Sequence, residues 1–300
     1  MTKKSALLTL SIWDDQIRLS LIGKSMKTID SLSFQFTVNK DDIGMCSIDP
    51  FELVYFIRTG IQKLIGTHGA SISFIGISIM PGYVLAWDVD SCTPLLPCFV
   101  PNNVLPSHQH QEFKFSSFYT MLKTAANVDT PNVALNLWVI SKRLGKRKDN
   151  VMISGLDAWL NYLLSGYDDR ALVSSPELMG ELVFSGQAFD EPLLNTLKLS
   201  VNMFPPLDSP QEIQTKNFSS LEDGIPIAYT TSTNALISQM LQQFSAEPVA
   251  CVHLSHINHL YLENVIVSPT LTQRHHWIRF SSWHSLYNSF NLSNGVSSMI

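Results

Sequence analysis

Residues 6–22, ALLTLSIWDDQIRLSLI, place two runs of alternating apolar and polar side chains on either side of Trp13-Asp14-Asp15-Gln16. A period of two marks half-buried strands, so the stretch predicts a β-hairpin turning at 13–16. Ile29–Phe36 reads as a third strand, with Phe34 and Phe36 on one face. The period then changes. Phe51, Val54, Ile57, Ile61 and Leu64 recur at helical spacing, with Ser47 or Asp49 to cap, Pro50 in the first turn and Gly66 to end the helix. The β-branched run 71–79, SISFIGISI, predicts a buried strand, and Tyr83–Trp87 a short one.

The proline-bearing stretch from Leu95 to Pro106 predicts a loop. Beyond it the pattern gives helices over 131–143, 156–164 and 193–199, a strand over 149–153, and a turn at Phe204-Pro205-Pro206. Residues 208–224 are polar and read as a connector. GIPIAYTT then reads as a strand, STNALISQMLQQF as a helix, and VACVHL and HLYLENVIV as two strands. Three strands, a helix, then alternating strands and helices describe an α/β domain. Its mixed sheet flanked by helices is of the ribonuclease-H-like type, also used by actin and sugar-kinase ATPases, although pattern alone leaves several α/β folds open.

At 300 residues the chain has room for one large or two smaller domains, and 45% apolar against 15% charged residues supplies ample core. A net charge of −5 argues against a nucleic-acid binder built on phosphate contacts. Cys46, Cys92, Cys98 and Cys251 show no CxxC spacing and are expected to be reduced thiols. The N-terminal apolar stretch is short and is followed by two acids, which fits a signal peptide poorly. No run reaches the length of a membrane-spanning helix. The expectation is a cytoplasmic protein without membrane or nucleic-acid contacts.

GISIMPGYVLAWDVDSCTPLLP, from Gly76, resembles the GI-x5-7-hydrophobic-W-[DE]-x5-P strand-turn-strand of the FGGY carbohydrate kinases, which include glycerol and xylulose kinases. Four other stretches resemble that family in the same order: Asp49-Pro50 at a helix start, GLDAWLNYLLSG, FDEPLLNTLKLSVNMFPPL and GIPIAYTTSTNALISQM. The resemblance implies a first kinase domain over 1–245. Residues 246–300 would be a remnant of the second, ATP-clasping domain with an aromatic-rich tail.

The family's chemistry does not carry over. Its first hairpin reads D-x-G-T-T/S, an acid that organises metal, a glycine for close backbone approach and hydroxyls that donate to phosphate. The matching positions here are Ser11, Trp13, Asp14 and Asp15, where a bulky ring blocks approach and two carboxylates repel a polyanion. The family's catalytic base, in G-x-x-D-x-x-A, falls at Thr233 and its glycine at Ser232; threonine cannot act as a base near neutral pH. The substrate turn becomes Met80-Pro81-Gly82. The W-x-x-x-R loop becomes Pro101-Asn102-Asn103-Val104-Leu105, the acid of D-Y-S-N-A-S becomes Val173, and the second domain's Gly-Thr-Gly becomes roughly His256-Ile257-Asn258.

The expectation is therefore a degenerate carbohydrate-kinase homologue with no catalytic residue, metal site or cofactor. It would act by binding a protein partner, a sugar ligand or itself through exposed domain-interface surface. The alternative is an active carbohydrate kinase with displaced residues, in which case ATP and magnesium are required. Three further stretches cluster histidines, cations or aromatics. HLSHINH (253–259) reads as strand with unliganded histidines, and KRLGKRK (142–148) as a helix end complementing its dipole. Trp277, Phe280, Trp283/His284 and Tyr287 are spaced to line one helix face that covers exposed surface or meets a partner.

Overall fold

The computed structural model describes residues 4–13, 15–24, 27–101, 103, 105–126, 132–145, 150–176, 178–179, 182–184, 188–207, 213–231, 249–253, 258–263 and 276–280. The chain divides into two compact units, Met1–Ser232 and Thr233–Ile300.

In the first unit β1 (Lys4–Trp13), β2 (Gln16–Ile22) and β3 (Thr28–Gln35) form the expected antiparallel meander. β6 (Ala70–Ile79) lies parallel to β1, and β14 (Pro226–Thr231) parallel to β6, with β13 (Ile213–Gln214) on its outer side. The order is β13-β14-β6-β1-β2-β3. A meander joined at β1 to two further parallel strands is the ribonuclease-H-like arrangement. The period-two pattern explains it: Leu8, Leu10 and Ile12 are buried beside Ile75, Ile77 and Ile79 on β6 and Leu21, Leu19 and Ile17 on β2. Each such side chain contributes about 1.5–3 kcal/mol by leaving water.

α1 (Pro50–His68) covers that face, touching β2, β3 and β6. Of the two candidate caps, Asp49 is the one used: its carboxylate accepts from the Phe51 N–H at 2.9 Å, and Pro50 opens the helix. Asp49→Ala should lower stability by about 1 kcal/mol, read as a shift in the urea midpoint. Two expectations are corrected here. Gly66 does not end the helix, because the left-handed stop (φ 56°) is taken by Gly69, whose N–H donates to Ile65 O at 2.8 Å. The buried stripe is Leu53, Ile57, Gly60, Ile61 and Leu64, while Phe51 is 58% exposed. Gly60 shows why the stripe turns this way. A Cβ there would lie 2.9 Å from Leu19 Cδ2 and 3.1 Å from Phe34 Cε2, so helix and sheet meet at this glycine.

A second sheet combines two short strands that precede α1 with strands from the long excursion between β6 and β14. Its strands run β10 (Val151–Gly155), β7 (Val84–Asp88), β9 (Cys98–Phe99), β5 (Cys46–Ile48), β4 (Asn39–Lys40), and β8 (Thr93–Pro94) pairs with β7. The expected loop at 95–106 thus contributes a short strand. Two helices absent from the sequence reading, α2 (Ser107–Lys114) and α3 (Ser117–Ala126), follow it. They join α4 (Asn132–Leu144), α5 (Leu156–Leu164) and α6 (Glu191–Thr196). Phe113, Phe118 and Leu122 pack with Trp138, Leu137, Val84 and Phe99 in a second core. A short hairpin, β11 (Val183–Phe184) with β12 (Ala188–Phe189), precedes α6. The polar connector at 208–224 carries β13 and is not purely loop.

The second unit is described by three antiparallel strands, β15 (Val249–His253), β16 (Asn258–Glu263) and β17 (His276–Phe280), in that order. His253 pairs with His259 across the first hairpin, in line with reading the flanking VACVHL and HLYLENVIV as two strands, and residues 254–257 lie outside the described residues. The helix face expected from Trp277 and Phe280 is corrected: both sit on β17, where Trp277 pairs with Tyr261 and Ile278 with Leu260. Aromatic and β-branched residues favour a strand when cross-strand partners exist. His256, Trp283, His284, Tyr287 and the helix expected over 232–244 lie outside the described residues.

Candidate functional site

The parallel strands β1 and β6 end side by side, and in open α/β sheets that edge is where ligands bind. At the end of β1 the β1–β2 pairing continues to Trp13↔Gln16, so only residues 14 and 15 lie between the strands. Asp15 is turned toward β3. Its carboxylate accepts from Gln35 Nε2 at 2.8 Å, and its carbonyl accepts from the Phe36 N–H at 2.6 Å. Trp13 is half-buried, and Asp14 lies outside the described residues. Ser11 sits two pairs back, between Arg18 on β2 and Ser78 on β6. Arg18 is exposed and donates to Ser31 Oγ at 3.2 Å.

Met80 continues β6 and donates its N–H to Ile12 O at 3.0 Å, which sets the Met80-Pro81-Gly82 turn at the end of β1. An amide pair holds that turn from below. Asn136, fully buried on α4, donates through Nδ2 to Gly82 O at 2.9 Å and Val100 O at 3.0 Å. Its Oδ1 accepts from Asn103 Nδ2 at 3.0 Å. Asn103 Nδ2 also reaches Cys46 O at 2.9 Å and Val100 O at 3.0 Å, while its Oδ1 accepts from the Cys46 N–H. Asn103 was expected in a substrate cleft; its amide is spent on the backbone at Cys46 and Val100 and on the Asn136 side chain. Asn102 lies outside the described residues, as do Ser232 and Thr233.

Val173 is half-buried in the segment after a short 3-10 turn, Asp169–Ala171, and its neighbour carries the chemistry. Ser174 Oγ donates to the Asp157 carboxylate (2.9 and 3.1 Å), and the Ser175 N–H donates to it at 2.9 Å. Asp157 is 1% exposed at the start of α5. Burial pushes its carboxyl up to about 6, outweighing the bonds from Ser175, Ser174 and Ala158 that favour the charged form. Sequence reasoning placed GLDAWL in a motif but gave Asp157 no role, and it missed Asn136. The available signal was a polar residue flanked by apolar ones within a helix, Asn136 in NVALNLWVI and Asp157 in GLDAWLNYLL.

Two cations of KRLGKRK are engaged at the end of α4. Lys142 pairs with Glu112 and lies 3.8 Å from the Trp138 ring centre; Arg143 pairs with Asp41 and lies 5.2 Å from that of Phe99. This fits the helix-end reading, and residues 146–148 lie outside the description. Among the described residues no group of three His, Cys, Asp or Glu side chains is placed to hold a metal ion, and no helix is long and apolar enough to cross a membrane.

No family model and no curated protein sequence matches the chain. Its structure is similar to several solved carbohydrate kinases. Plasmodium falciparum glycerol kinase with ADP superposes with a TM-score of 0.72 at 15% identity, over 89% of this chain and 56% of that one. Gluconate kinase from Lactobacillus acidophilus gives 0.70 at 13%, over 86% and 54%. Ligand-bound xylulose kinase from the same organism gives 0.70 at 12%, over 96% and 62%. The chain thus spans little more than half the length of these enzymes, and the likeness establishes its fold as theirs: a mixed sheet flanked by helices.

Proposed function

We propose that this carbohydrate-kinase fold works by binding, to a partner protein or a sugar, without transferring phosphate. The observation that carries the reading is the β1–β2 turn. With Trp13 paired to Gln16 and Asp15 fastened to Gln35 and Phe36, the turn has two residues and no glycine to let its backbone approach a phosphate. A carboxylate about 4 Å from a phosphate opposes it by about 4 kcal/mol per charge pair at an effective dielectric constant near 20. Thr233 in place of the expected base and Met80-Pro81-Gly82 in place of polar substrate groups support the same reading. The amide pair that fixes the 80–82 turn maintains the shape of the old cleft independently of any ligand.

Calorimetric titration with magnesium-ATP at millimolar concentration should give no binding heat. In a thermal-shift series, nucleotides should leave the melting temperature unchanged, because only a ligand bound to the native state raises it. A shift with sugars or polyols alone would assign the ligand. ATP-dependent phosphorylation of a sugar, clearly above background and lost on Thr233→Ala, would overturn the proposal in favour of an active kinase with displaced residues.

A further inference from the structure

β3 ends the six-stranded sheet and, among the described residues, has a neighbour only on its β2 side. Such an edge is a template for another chain unless something blocks it. The pairing shows which backbone groups face outward. Trp13 and Gln16 close a two-residue hairpin, so Gln16, Arg18 and Ser20 bond toward β1, and Ile17, Leu19 and Leu21 toward β3. Their partners Phe34, Leu32 and Asp30 point back to β2, in phase with the Phe36 N–H on Asp15 O. Ser31, Ser33 and Gln35 therefore present their backbone groups to the open side.

One of those outward donors is occupied. The Ser31 N–H donates to Asp30 Oδ1 at 2.7 Å, and the other carboxylate oxygen, Oδ2, lies 2.9 Å from His68 Nε2 at the end of α1. The Ser31 hydroxyl is held on the opposite face by Arg18. The remainder of the edge is well suited to pairing: Asp30 is the only charged residue of TIDSLSFQ, and Ile29 is 46% exposed.

We propose that Asp30, held by His68, guards the β3 edge against antiparallel pairing with the β3 of a second copy of this chain. It does so by occupying the Ser31 N–H and by placing an exposed carboxylate on the rim of an otherwise uncharged strand. The alternative use of the edge, capture of an unrelated extended peptide, requires a free row of donors that Asp30 interrupts.

Sedimentation velocity across a concentration series tests this, with circular dichroism confirming the fold of each variant. Asp30→Ala should tighten self-association at least about tenfold relative to the unaltered protein. Adding Ser33→Pro should reverse the gain, since proline removes an outward donor that the β2–β3 ladder does not use, and edge strands accept it there. His68→Ala, which leaves the carboxylate but frees it, should give a smaller gain, and carries the test if Asp30→Ala fails to fold. Association unchanged in the folded variants, or strengthened association indifferent to Ser33→Pro, would overturn the proposal.

Discussion

Lowering the pH from 7 to about 4 is expected to stabilise the protein by roughly 3 kcal/mol through Asp157 alone. Its folded carboxyl titrates at about 6 against an ordinary 3.8. Between those values the folded state holds the proton and the unfolded state does not. The contribution is full below the ordinary value and is lost as pH rises through 6. Asp30 and Asp168, held below the usual carboxylate range by His68 and Arg170, act in the opposite direction, but below pH 4. Urea midpoints measured from pH 4 to 7.5 should therefore slope for the unaltered protein and flatten for Asp157→Asn. Parallel profiles would remove Asp157 as the cause. Asp157→Ala should in addition cost about 1–3 kcal/mol at low pH, since it removes the acceptor of the fully buried Ser174 hydroxyl and of the Ser175 N–H. The local sequence is built around this carboxylate: a Cβ at Gly155 would lie 2.3 Å from Asp157 Oδ1. Ser174 passes the hold onward, its N–H donating to Pro206 O at 3.0 Å, so α5 and two later segments share one buried acid.

The central sheet was legible in the sequence because its information is local. The alternation of ALLTLSI and IRLSLI states both strands and the faces they bury, and the two acids between them state the turn. α1 was legible for the same reason, but its phase was not: Phe51 satisfies helical spacing as well as Leu53 does, and only the close approach at Gly60 decides between them. The second sheet was mostly hidden. β4, β8 and β9 are two residues long, too short to show a period, and β9 is completed by β5, about fifty residues earlier. α2 and α3 were hidden by their corner: Ser116-Ser117 interrupts the period, so Phe113, Phe118 and Leu122 do not read as one stripe. The site followed the same division. What the β1–β2 turn lacks can be read from Trp13 and Asp15, whereas what Asn103 does depends on Cys46 and Asn136, 57 and 33 residues away.

Asn136→Asp is expected to destabilise the protein by about 3–5 kcal/mol at neutral pH, although it changes volume hardly at all. The amide nitrogen it replaces donates to Gly82 O and Val100 O, so the substitution turns two hydrogen bonds into two oxygen–oxygen confrontations in a fully buried position. A carboxyl there is driven toward its neutral form by burial and by the two carbonyls, which raises its folded pKa. The deficit should therefore shrink on acidification, as a proton restores one donor, and grow as pH rises. Asn136→Leu serves as the contrast: it also removes the donor to Gly82 O and the bond with Asn103, but has nothing to titrate, so its deficit should be constant with pH relative to the unaltered protein. Equal urea midpoints for Asn136→Asp and the unaltered protein at pH 7 would show that the amide pair does not hold the 80–82 turn. A deficit that depends on pH ties that turn, at the end of β1 where a ligand of this fold would lie, to a scaffold whose rigidity comes from buried amides rather than from anything bound.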